Sequence, residues 1–381
     1  MRIAVNGAFW GMDTTGSGQY LMALLPAMAQ LGTPTTVDLV LPAALDVPPP
    51  ELTPPWGVHR VSTPLDRCGA NLAKVSFEQV AFPRACRRLR ADVAHVPYFA
   101  PPLRSPAPVV VTVHDLIPIV LPEYRGSALY RLYTRLVSAG TRRAALVLTD
   151  SQASARDIER ILGIPRERIR VIYLAAHPRY RPQTPAECRP VIERLALPSR
   201  YLLYLGGFDR RKNVPALLRA MVRARFLLEG ARLVVAGRLP ARDTPFTPDP
   251  RRIVRELGIA DAVQFLGHVA EADKPALYAG ALAFVFPSRY EGFGLPPLEA
   301  ISCGTPAIVG TGSSLEEVVG PGGIAVPGYD VEALARALVT LATDDRRRAE
   351  LGRAGLRHAA RFSWERTARE TLQAYRDAAG G

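Results

Sequence analysis

Short, unbroken apolar segments alternate with helical patterns along the chain. In the first half the apolar segments are residues 3–5, 37–41, 93–96, 109–113 and 146–149. Unbroken apolar segments of this length are typical of strands that are buried on both faces of a sheet. Helical periodicity between them, over 17–30, 72–90 and 127–143, predicts right-handed βαβ units and a parallel sheet.

The same alternation starts again in the second half. Residues 174–200 contain five prolines and little periodicity, which predicts a linker between domains. Asp330 and Ser363 are candidate N-caps within a helical region that covers 331–379. The pattern indicates an α/β chain with two doubly wound sheets, and the second set of strand candidates is 201–205, 233–236, 263–266, 283–286 and 307–309.

The charge balance is basic, with a formal net charge of +13. Anionic partners such as nucleotide phosphates or a membrane surface are therefore expected. All basic residues except Lys74, Lys212 and Lys274 are arginine, which is typical of a compositional bias, and we expect no nucleic-acid partner. Four scattered cysteines, no leader pattern and no long apolar segment indicate a cytoplasmic protein.

Ligands of open α/β sheets bind where parallel strands end, so the loops after strands are the candidate sites. Residues 289–300 read RYEGFGLPPLEA; Glu291 begins a glycine-containing loop, and Glu299 is expected in the first turn of the helix that follows. Backbone N–H groups at the start of such a helix favour a phosphate, whereas the two carboxylates favour sugar or ribose hydroxyls. The alternative is that Glu299 only interacts with the helix dipole and that Glu291 is solvated.

A second loop, after strand 201–205, contains Gly206, Gly207, Arg210, Arg211 and Lys212. Two glycines, three consecutive cations and a helix start at Asn213 indicate an anion site. A solvated basic turn is the alternative.

Two further loops belong to the first half. Gly16, Ser17 and Gly18 form a glycine turn before a helix, but neither dinucleotide nor P-loop fingerprint is complete, so this signal is weak. His114 follows strand 109–113, and Asp115 could orient its ring; a structural histidine is the alternative. The histidines show no metal spacing and no Asp-x-Asp pair follows a strand, so we predict no metal site. We also expect no cofactor.

Several motifs together resemble the family 4 retaining glycosyltransferases, which have the GT-B fold. They include EGFGLPPLE at 291–299, FPS at 286–288, CGTPAI at 303–308, VHDLIP at 113–118 and the GGFDRRKN loop. Within that family the chain is most similar to bacterial mannosyltransferases of polysaccharide and O-antigen assembly. The resemblance implies Rossmann-like domains over 1–180 (acceptor) and 181–363 (nucleotide-sugar donor), with a C-terminal helix, 364–381, that crosses back to the first domain.

The resemblance also implies roles by position. Glu291 would contact donor-sugar hydroxyls, Glu299 the ribose, and His114 the reacting sugar. Arg211 and Lys212 would neutralise the departing diphosphate, although Gly207 stands where many members carry an arginine, so whether Arg210 or Arg211 meets the phosphate is open. The remaining donor-site positions are Gly292, Phe293, Gly294, Leu295, Gly206, Gly207, Val269, Gly16, Ser17 and Gly18.

The implied reaction is metal-independent hexosyl transfer with retention, with mannose from GDP-mannose as the expected donor. UDP-glucose, UDP-N-acetylglucosamine and a non-catalytic nucleotide-sugar-binding protein are the alternatives, and an epimerase, a phosphorylase or a solute-binding protein is less consistent with the residues. A glycan, lipid-linked or small-molecule acceptor is expected on the first domain, which has Pro-rich loops at 42–56 and 97–108. Arg84, Arg87, Arg88 and Arg90 are candidates for peripheral contact with an anionic membrane; a solvated face is the alternative.

Overall fold

The computed structural model describes residues 1–45 and 56–380, which fold into two compact units. The first unit comprises Met1–Leu174 and Ser363–Gly381, and the second comprises Ala175–Phe362. The division at Leu174/Ala175 lies slightly before the expected division at 180/181. Most of the Pro-rich segment 42–56 lies outside the described residues.

The first unit is built on a seven-stranded sheet in the order β3-β2-β1-β4-β5-β6-β7, with all neighbours parallel. The chain begins at the interior strand β1, moves through β2 to the edge strand β3, and returns to the other side of β1 with β4. The strands are β1 (Arg2–Asn6), β2 (Thr36–Pro42), β3 (Gly57–Val61), β4 (Val93–Val96), β5 (Val109–Thr112), β6 (Leu146–Thr149) and β7 (Ile169–Val171).

Helices cover this sheet. They are α1 (Gly16–Gln30), α2 (Ala70–Ser76), α3 (Phe82–Leu89), α4 (Ile117–Val120), α5 (Ala128–Arg143) and α6 (Gln152–Leu162). The helix predicted over 72–90 is confirmed, since the backbone is helical from Ala70 to Leu89, but a π-helical turn at Phe77–Ala81 lies between its α-helical parts α2 and α3.

The second unit is built on a six-stranded parallel sheet in the order β10-β9-β8-β11-β12-β13. This order repeats the plan of the first sheet. There, β1 lies between β2 and β4; here, β8 lies between β9 and β11. The strands are β8 (Tyr201–Leu205), β9 (Arg232–Ala236), β10 (Val263–Gly267), β11 (Ala283–Phe286), β12 (Ala307–Gly310) and β13 (Gly323–Val326).

The helices of the second unit include one that the sequence analysis missed. They are α7 (Pro185–Arg194), α8 (Val214–Ala224), α9 (Pro250–Glu256), α10 (Lys274–Ala279), α11 (Leu295–Ser302), α12 (Leu315–Val319), α13 (Val331–Thr343) and α14 (Asp345–Ala359). Helix α7 lies in the segment that was predicted to be a linker. Thr184 and Glu187 form a reciprocal capping box at its start, and Pro185 occupies the first turn.

The last helix, α15 (Trp364–Ala379), belongs to the first unit, as the GT-B resemblance implied. Ser363 caps it by accepting a hydrogen bond from the Arg366 N–H. The Thr367 hydroxyl donates to the Tyr173 carbonyl at 2.7 Å, and the buried Tyr375 hydroxyl lies 2.7 Å from His95 Nδ1. Among the described residues no helix is both long and apolar enough to cross a bilayer.

Candidate active site

Two loops of the second unit meet at the carboxyl end of its sheet. They follow the adjacent strands β8 and β11, where the strand order reverses, and this is the point at which open α/β sheets bind ligands. The Arg289 N–H donates to the Arg211 carbonyl at 2.8 Å, and Asn213 Nδ2 donates to the Pro287 carbonyl at 3.2 Å. The two sequence-predicted loops are therefore held together by direct hydrogen bonds.

The carboxylate of Glu291, in the loop after β11, forms ion pairs with Arg211 and Lys212 in the loop after β8. Lys212 Nζ lies 2.7 Å from Glu291 Oε1, and Arg211 Nη1 lies 2.5 Å from Glu291 Oε2. The Ser288 hydroxyl donates to Glu291 Oε1 at 2.6 Å, and the Lys212 ammonium lies 4.6 Å from the centre of the Phe286 ring. The three charged side chains are only 12–14% exposed, so water screens them weakly.

This environment perturbs both ionisable partners. Burial lowers the pKa of Lys212, because it disfavours the ammonium, and the nearby Glu291 offsets only part of that effect. Burial also opposes ionisation of Glu291, but Lys212 and Arg211 outweigh it and hold the pKa of that carboxyl below its usual value. Arg211, Lys212 and Glu291 together carry one net positive charge when all three are ionised, and Asp209, whose Oδ1 lies 3.7 Å from Arg211 Nε, adds a negative charge beside them.

Glu299 lies in the second turn of α11, not in the first turn as expected, because the helix begins at Leu295. The Tyr278 hydroxyl donates to Glu299 Oε2 at 2.8 Å. Burial raises the pKa of Glu299 to about 7, and the Tyr278 hydrogen bond and Lys274 counteract it in part. Tyr278 was not predicted as a site residue; it stands on α10, which only the fold brings beside α11.

The glycines of both loops permit close backbone approach. Gly294 has φ 112°, in the left-handed region, and a Cβ there would lie 2.6 Å from Leu315 Cδ2. The Ser314 hydroxyl donates to the Phe293 carbonyl at 2.6 Å and so fixes the turn that includes Gly292. Leu295 is the first residue of α11.

The loop after β8 is fixed in a comparable way. The Gly206 N–H donates to the Ala236 carbonyl at 3.1 Å, and the Tyr204 hydroxyl donates to the Gly207 carbonyl. Buried Val269 follows β10 at the same end of the sheet.

His114 lies at the carboxyl end of β5 in the first unit, and its main partner differs from the predicted one. Its Nδ1 lies 2.7 Å from Asp150 Oδ2, and its Nε2 lies 3.2 Å from the Pro97 carbonyl. Asp115 instead accepts the Ile117 N–H at 2.9 Å, at the start of α4. Asp150 directly follows β6, the neighbour of β5, and this position after a strand was the signal that sequence reasoning missed.

Both ring nitrogens of His114 therefore approach acceptors. Burial lowers its pKa, but the Asp150 carboxylate, together with Asp115 and the Pro97 carbonyl, outweighs burial, so the pKa of His114 is raised above its usual value. The protonated ring can donate to both neighbours.

Gly16, Ser17 and Gly18 do not form a turn before the helix, because they are the first turn of α1 itself. Thr15 is the N-cap, and its side chain accepts the Gly18 N–H at 3.1 Å. A Cβ on Gly18 would lie 2.1 Å from the Met12 carbonyl oxygen, so this glycine is required by local packing. Across residues 1–45 and 56–380, no group of three or more His, Cys, Asp or Glu side chains is arranged to hold a metal ion.

Known families and structures match both units. Residues 14–179 match the model of Glycosyltransferase Family 4, and residues 191–358 match that of Glycosyl transferases group 1. An O-antigen chain mannosyltransferase B from Escherichia coli is 35% identical over 299 residues, which cover 77% of this chain and 76% of that protein.

Solved structures of other proteins superpose on nearly the whole chain. A sucrose-phosphate synthase from Thermosynechococcus elongatus superposes with a TM-score of 0.77 at 22% identity, covering 99% of this chain and 98% of that one. HepE from Anabaena, solved with UDP and glucose, gives 0.73 at 18% identity and covers 98% of each chain.

The fold and the sequence matches define a two-domain GT-B glycosyltransferase. The chain belongs to the group 1 and family 4 glycosyltransferases, which transfer a sugar from a nucleotide sugar, and its bacterial relatives include mannosyltransferases of O-antigen assembly.

Proposed function

We propose that this protein is a retaining mannosyltransferase that uses GDP-mannose, requires no metal, and transfers mannose to a hydroxyl of a glycan or lipid-linked acceptor. The single observation that carries the proposal is the weakly exposed cluster of Arg211, Lys212 and Glu291 at the switch point of the second unit. The choice of mannose is supported by the 35% identity to an O-antigen mannosyltransferase.

In the proposed reaction the bond between the anomeric carbon and the diphosphate oxygen breaks, and the acceptor oxygen bonds to that carbon on the same face. The acceptor proton passes to an oxygen of the leaving diphosphate. Lys212 and Arg211 stabilise the negative charge that develops on the leaving group, and this electrostatic contribution replaces the need for a metal. Arg211 suits this role better than Arg210, because it is ion-paired in the cluster whereas Arg210 is exposed.

The two glutamates are proposed to bind hydroxyls. Glu299 would accept hydrogen bonds from the ribose in its ionised form, and Glu291 would exchange part of its ion pairing for hydroxyls of the donor sugar. The backbone from Gly292 to Leu295 would contact the diphosphate, the loop at Gly206 and Gly207 would border it, and Val269 would lie beside the base. His114 would contribute positive charge near the reacting sugar, since its pKa is raised.

A donor panel tests the proposal. GDP-mannose, UDP-glucose and UDP-N-acetylglucosamine would be incubated with EDTA, and release of nucleoside diphosphate would be measured for the wild type and for Glu299→Ala. Of the three donors, we expect only GDP-mannose to release nucleoside diphosphate. Glu299→Ala should reduce the rate of this release at least tenfold. The anomeric configuration of the product, read by NMR, checks retention. Preference for a UDP-sugar would overturn the proposed donor, and a requirement for metal would overturn the proposed metal independence. A product of inverted anomeric configuration would overturn the proposed retention.

A further inference from the structure

The imidazole of His114 is held from three sides within the first unit. Its Nδ1 is hydrogen-bonded to Asp150, and its Nε2 faces the Pro97 carbonyl. The third neighbour is Tyr20, a buried residue of α1, whose ring packs against the imidazole in a T-shaped arrangement with centroids 5.1 Å apart and an interplanar angle of 78°. The hydrogen bonds set the direction of the ring nitrogens, and Tyr20 fills the space into which the imidazole could otherwise turn.

Tyr20 is itself supported by the C-terminal helix α15. Its ring packs against that of Trp364, with centroids 6.4 Å apart, and its hydroxyl interacts with that of Thr371. Both residues belong to α15, which packs against α1. The position of Tyr20 therefore depends on the last helix of the first unit.

A second connection runs from α15 to the strand that precedes His114. The buried Tyr375 hydroxyl lies 2.7 Å from His95 Nδ1, and His95 Nε2 lies 2.9 Å from the Thr112 hydroxyl. Burial, together with the nearby charge of His114, lowers the pKa of His95 to about 3, so at neutral pH this ring offers one donor nitrogen and one acceptor nitrogen. Thr112 is the last residue of β5, two residues before His114. These hydrogen bonds hold the strand end from which His114 projects.

The hydrogen bonds of this second connection are complete. His95, Thr112 and Tyr375 are 0–1% exposed, and within residues 1–45 and 56–380 none of them has a buried polar side-chain atom without a partner. A buried polar network in which every group is paired specifies one arrangement of the elements that it joins. Here it joins α15 to β4 and β5, so the helix is fixed where Trp364 meets Tyr20.

We propose that Tyr20 is a positioning residue of the transfer reaction: supported by α15, its ring keeps the His114 imidazole in the orientation that the reaction requires. This inference rests on the proposed function, since it concerns the geometry of that reaction. Tyr20 acts only through His114 and does not contact the sugar. Misplacing a group by about 1 Å can slow a reaction roughly 100-fold, so the loss of one packing ring is expected to affect the rate.

Three variants test the role of the ring through release of GDP from GDP-mannose. We expect Tyr20→Leu to lower kcat roughly tenfold while KM changes less than about threefold. Tyr20→Phe keeps the ring and should restore kcat to within about threefold of the wild type. Tyr201→Leu is the matched control, because Tyr201 is also buried but begins β8, at the strand end opposite the loop that contains Lys212. It should lower the melting temperature and leave kcat unchanged.

A double-mutant cycle separates positioning from a general loss of stability. In a His114→Ala background, Tyr20→Leu should lower kcat by less than about twofold, because no imidazole remains to be oriented. If the two losses multiply, Tyr20 acts independently of His114 and the inference is wrong. If Tyr20→Leu does not fold, Trp364→Leu, at a partly exposed ring, takes its place in both comparisons.

Proton NMR tests the orientation without any donor. The His114 Nδ1 proton, which is hydrogen-bonded to Asp150, should give a low-field signal that is absent from His114→Ala. This signal should broaden or disappear in Tyr20→Leu, because an imidazole that turns leaves the carboxylate, and should persist in Tyr20→Phe and Tyr201→Leu. An unchanged signal in folded Tyr20→Leu would overturn the inference. If the wild type does not cleave GDP-mannose, the proposed function fails, but this comparison still decides whether Tyr20 orients His114.

Discussion

Lys212 Nζ and Glu291 Oε1 lie 2.7 Å apart, and Arg211 binds the other oxygen of the same carboxylate. We expect Glu291→Gln to lower the free energy of unfolding by roughly 3 kcal/mol, near the lower end for a buried ion pair, because two weakly exposed cations lose their shared anion. GDP should then stabilise the variant by a larger increase in melting temperature than it does the wild type, since its diphosphate supplies the missing charge. Differential scanning fluorimetry with and without GDP measures both effects.

An exposed ion pair of the same unit provides the control for this substitution. Arg252 Nη1 lies 2.6 Å from Glu256 Oε1, but these side chains are 45% and 56% exposed. Exposed pairs contribute about 0–1 kcal/mol, so Glu256→Gln should change neither the stability nor the GDP effect appreciably. Equal responses of the two variants would show that the cluster at Glu291 is not poised for a diphosphate.

The raised pKa of Glu299, about 7, predicts a pH dependence of nucleotide binding. If the ionised carboxylate accepts the ribose hydroxyls, the dissociation constant for GDP should increase roughly fivefold from pH 7 to pH 6, because the carboxylate becomes protonated. The same shift stabilises the folded protein below the usual carboxyl pKa, and this contribution is lost as the pH rises through about 7. Isothermal titration calorimetry and thermal unfolding across pH 5–8 measure the two effects.

Two variants separate Glu299 from other titrating groups. Glu299→Gln should bind GDP weakly and without the step near pH 7. Tyr278→Phe removes a hydrogen bond that favours the ionised carboxylate, so the step should move to higher pH. A profile that stays the same in both variants would assign the step to another group and contradict the role of Glu299.

The pairing of His114 with Asp150 predicts a second titration, in the first unit. In NMR spectra of the histidine rings, His114 should titrate above the usual histidine pKa, and Asp150→Asn should lower its midpoint. Since the raised pKa favours the charged ring in the folded state, this pair stabilises the protein at low pH and the contribution is lost as the pH rises through the midpoint. Asp115→Asn is the control for Asp150→Asn and should shift the midpoint of His114 less. Asp115 acts on the His114 ring by its charge, while its carboxylate accepts a hydrogen bond from the Ile117 N–H.

The interior strands of both sheets could be predicted from the sequence, but three edge strands could not. Strands β3, β7 and β13 lie at sheet edges and are partly exposed, so they lack the unbroken apolar character of the buried strands. The π-helical turn at Phe77–Ala81 was also missed, because a single extra residue in a helix leaves no clear trace in its periodicity.

The candidate site was predictable where its residues are close in sequence or follow strands that were recognised. Glu291 and Glu299 were identified from one loop and one helix start, and Lys212 from a basic loop after a strand. Their pairing was not predictable, since the bonds from Glu291 to Lys212 and from Glu299 to Tyr278 depend on which strands and helices are neighbours. The same holds for Asp150, which only the adjacency of β5 and β6 brings to His114.

Exposed arginines on α3 predict association with anionic membranes. Phe82, Ala85, Cys86 and Leu89 are buried on this helix, which leaves the arginines on its outer face. Arg84 and Arg88 also line a cavity of about 310 Å³ together with Arg60, which belongs to β3. The basic surface therefore includes a residue outside α3. Each basic residue near an anionic surface contributes about 1 kcal/mol to binding. The four residues to neutralise together are Arg84, Arg87, Arg88 and Arg90.

Sedimentation with vesicles that contain 30% phosphatidylglycerol measures this association. Replacing the four arginines by glutamine should reduce the bound fraction at least tenfold at 0.1 M salt, and raising the salt should weaken wild-type binding because the surface charges are screened. Four exposed arginines of the second unit, Arg346, Arg347, Arg353 and Arg357, serve as a charge-matched control. If both quadruple variants lose binding equally, the net charge alone drives association; if neither loses it, α3 is simply a solvated face.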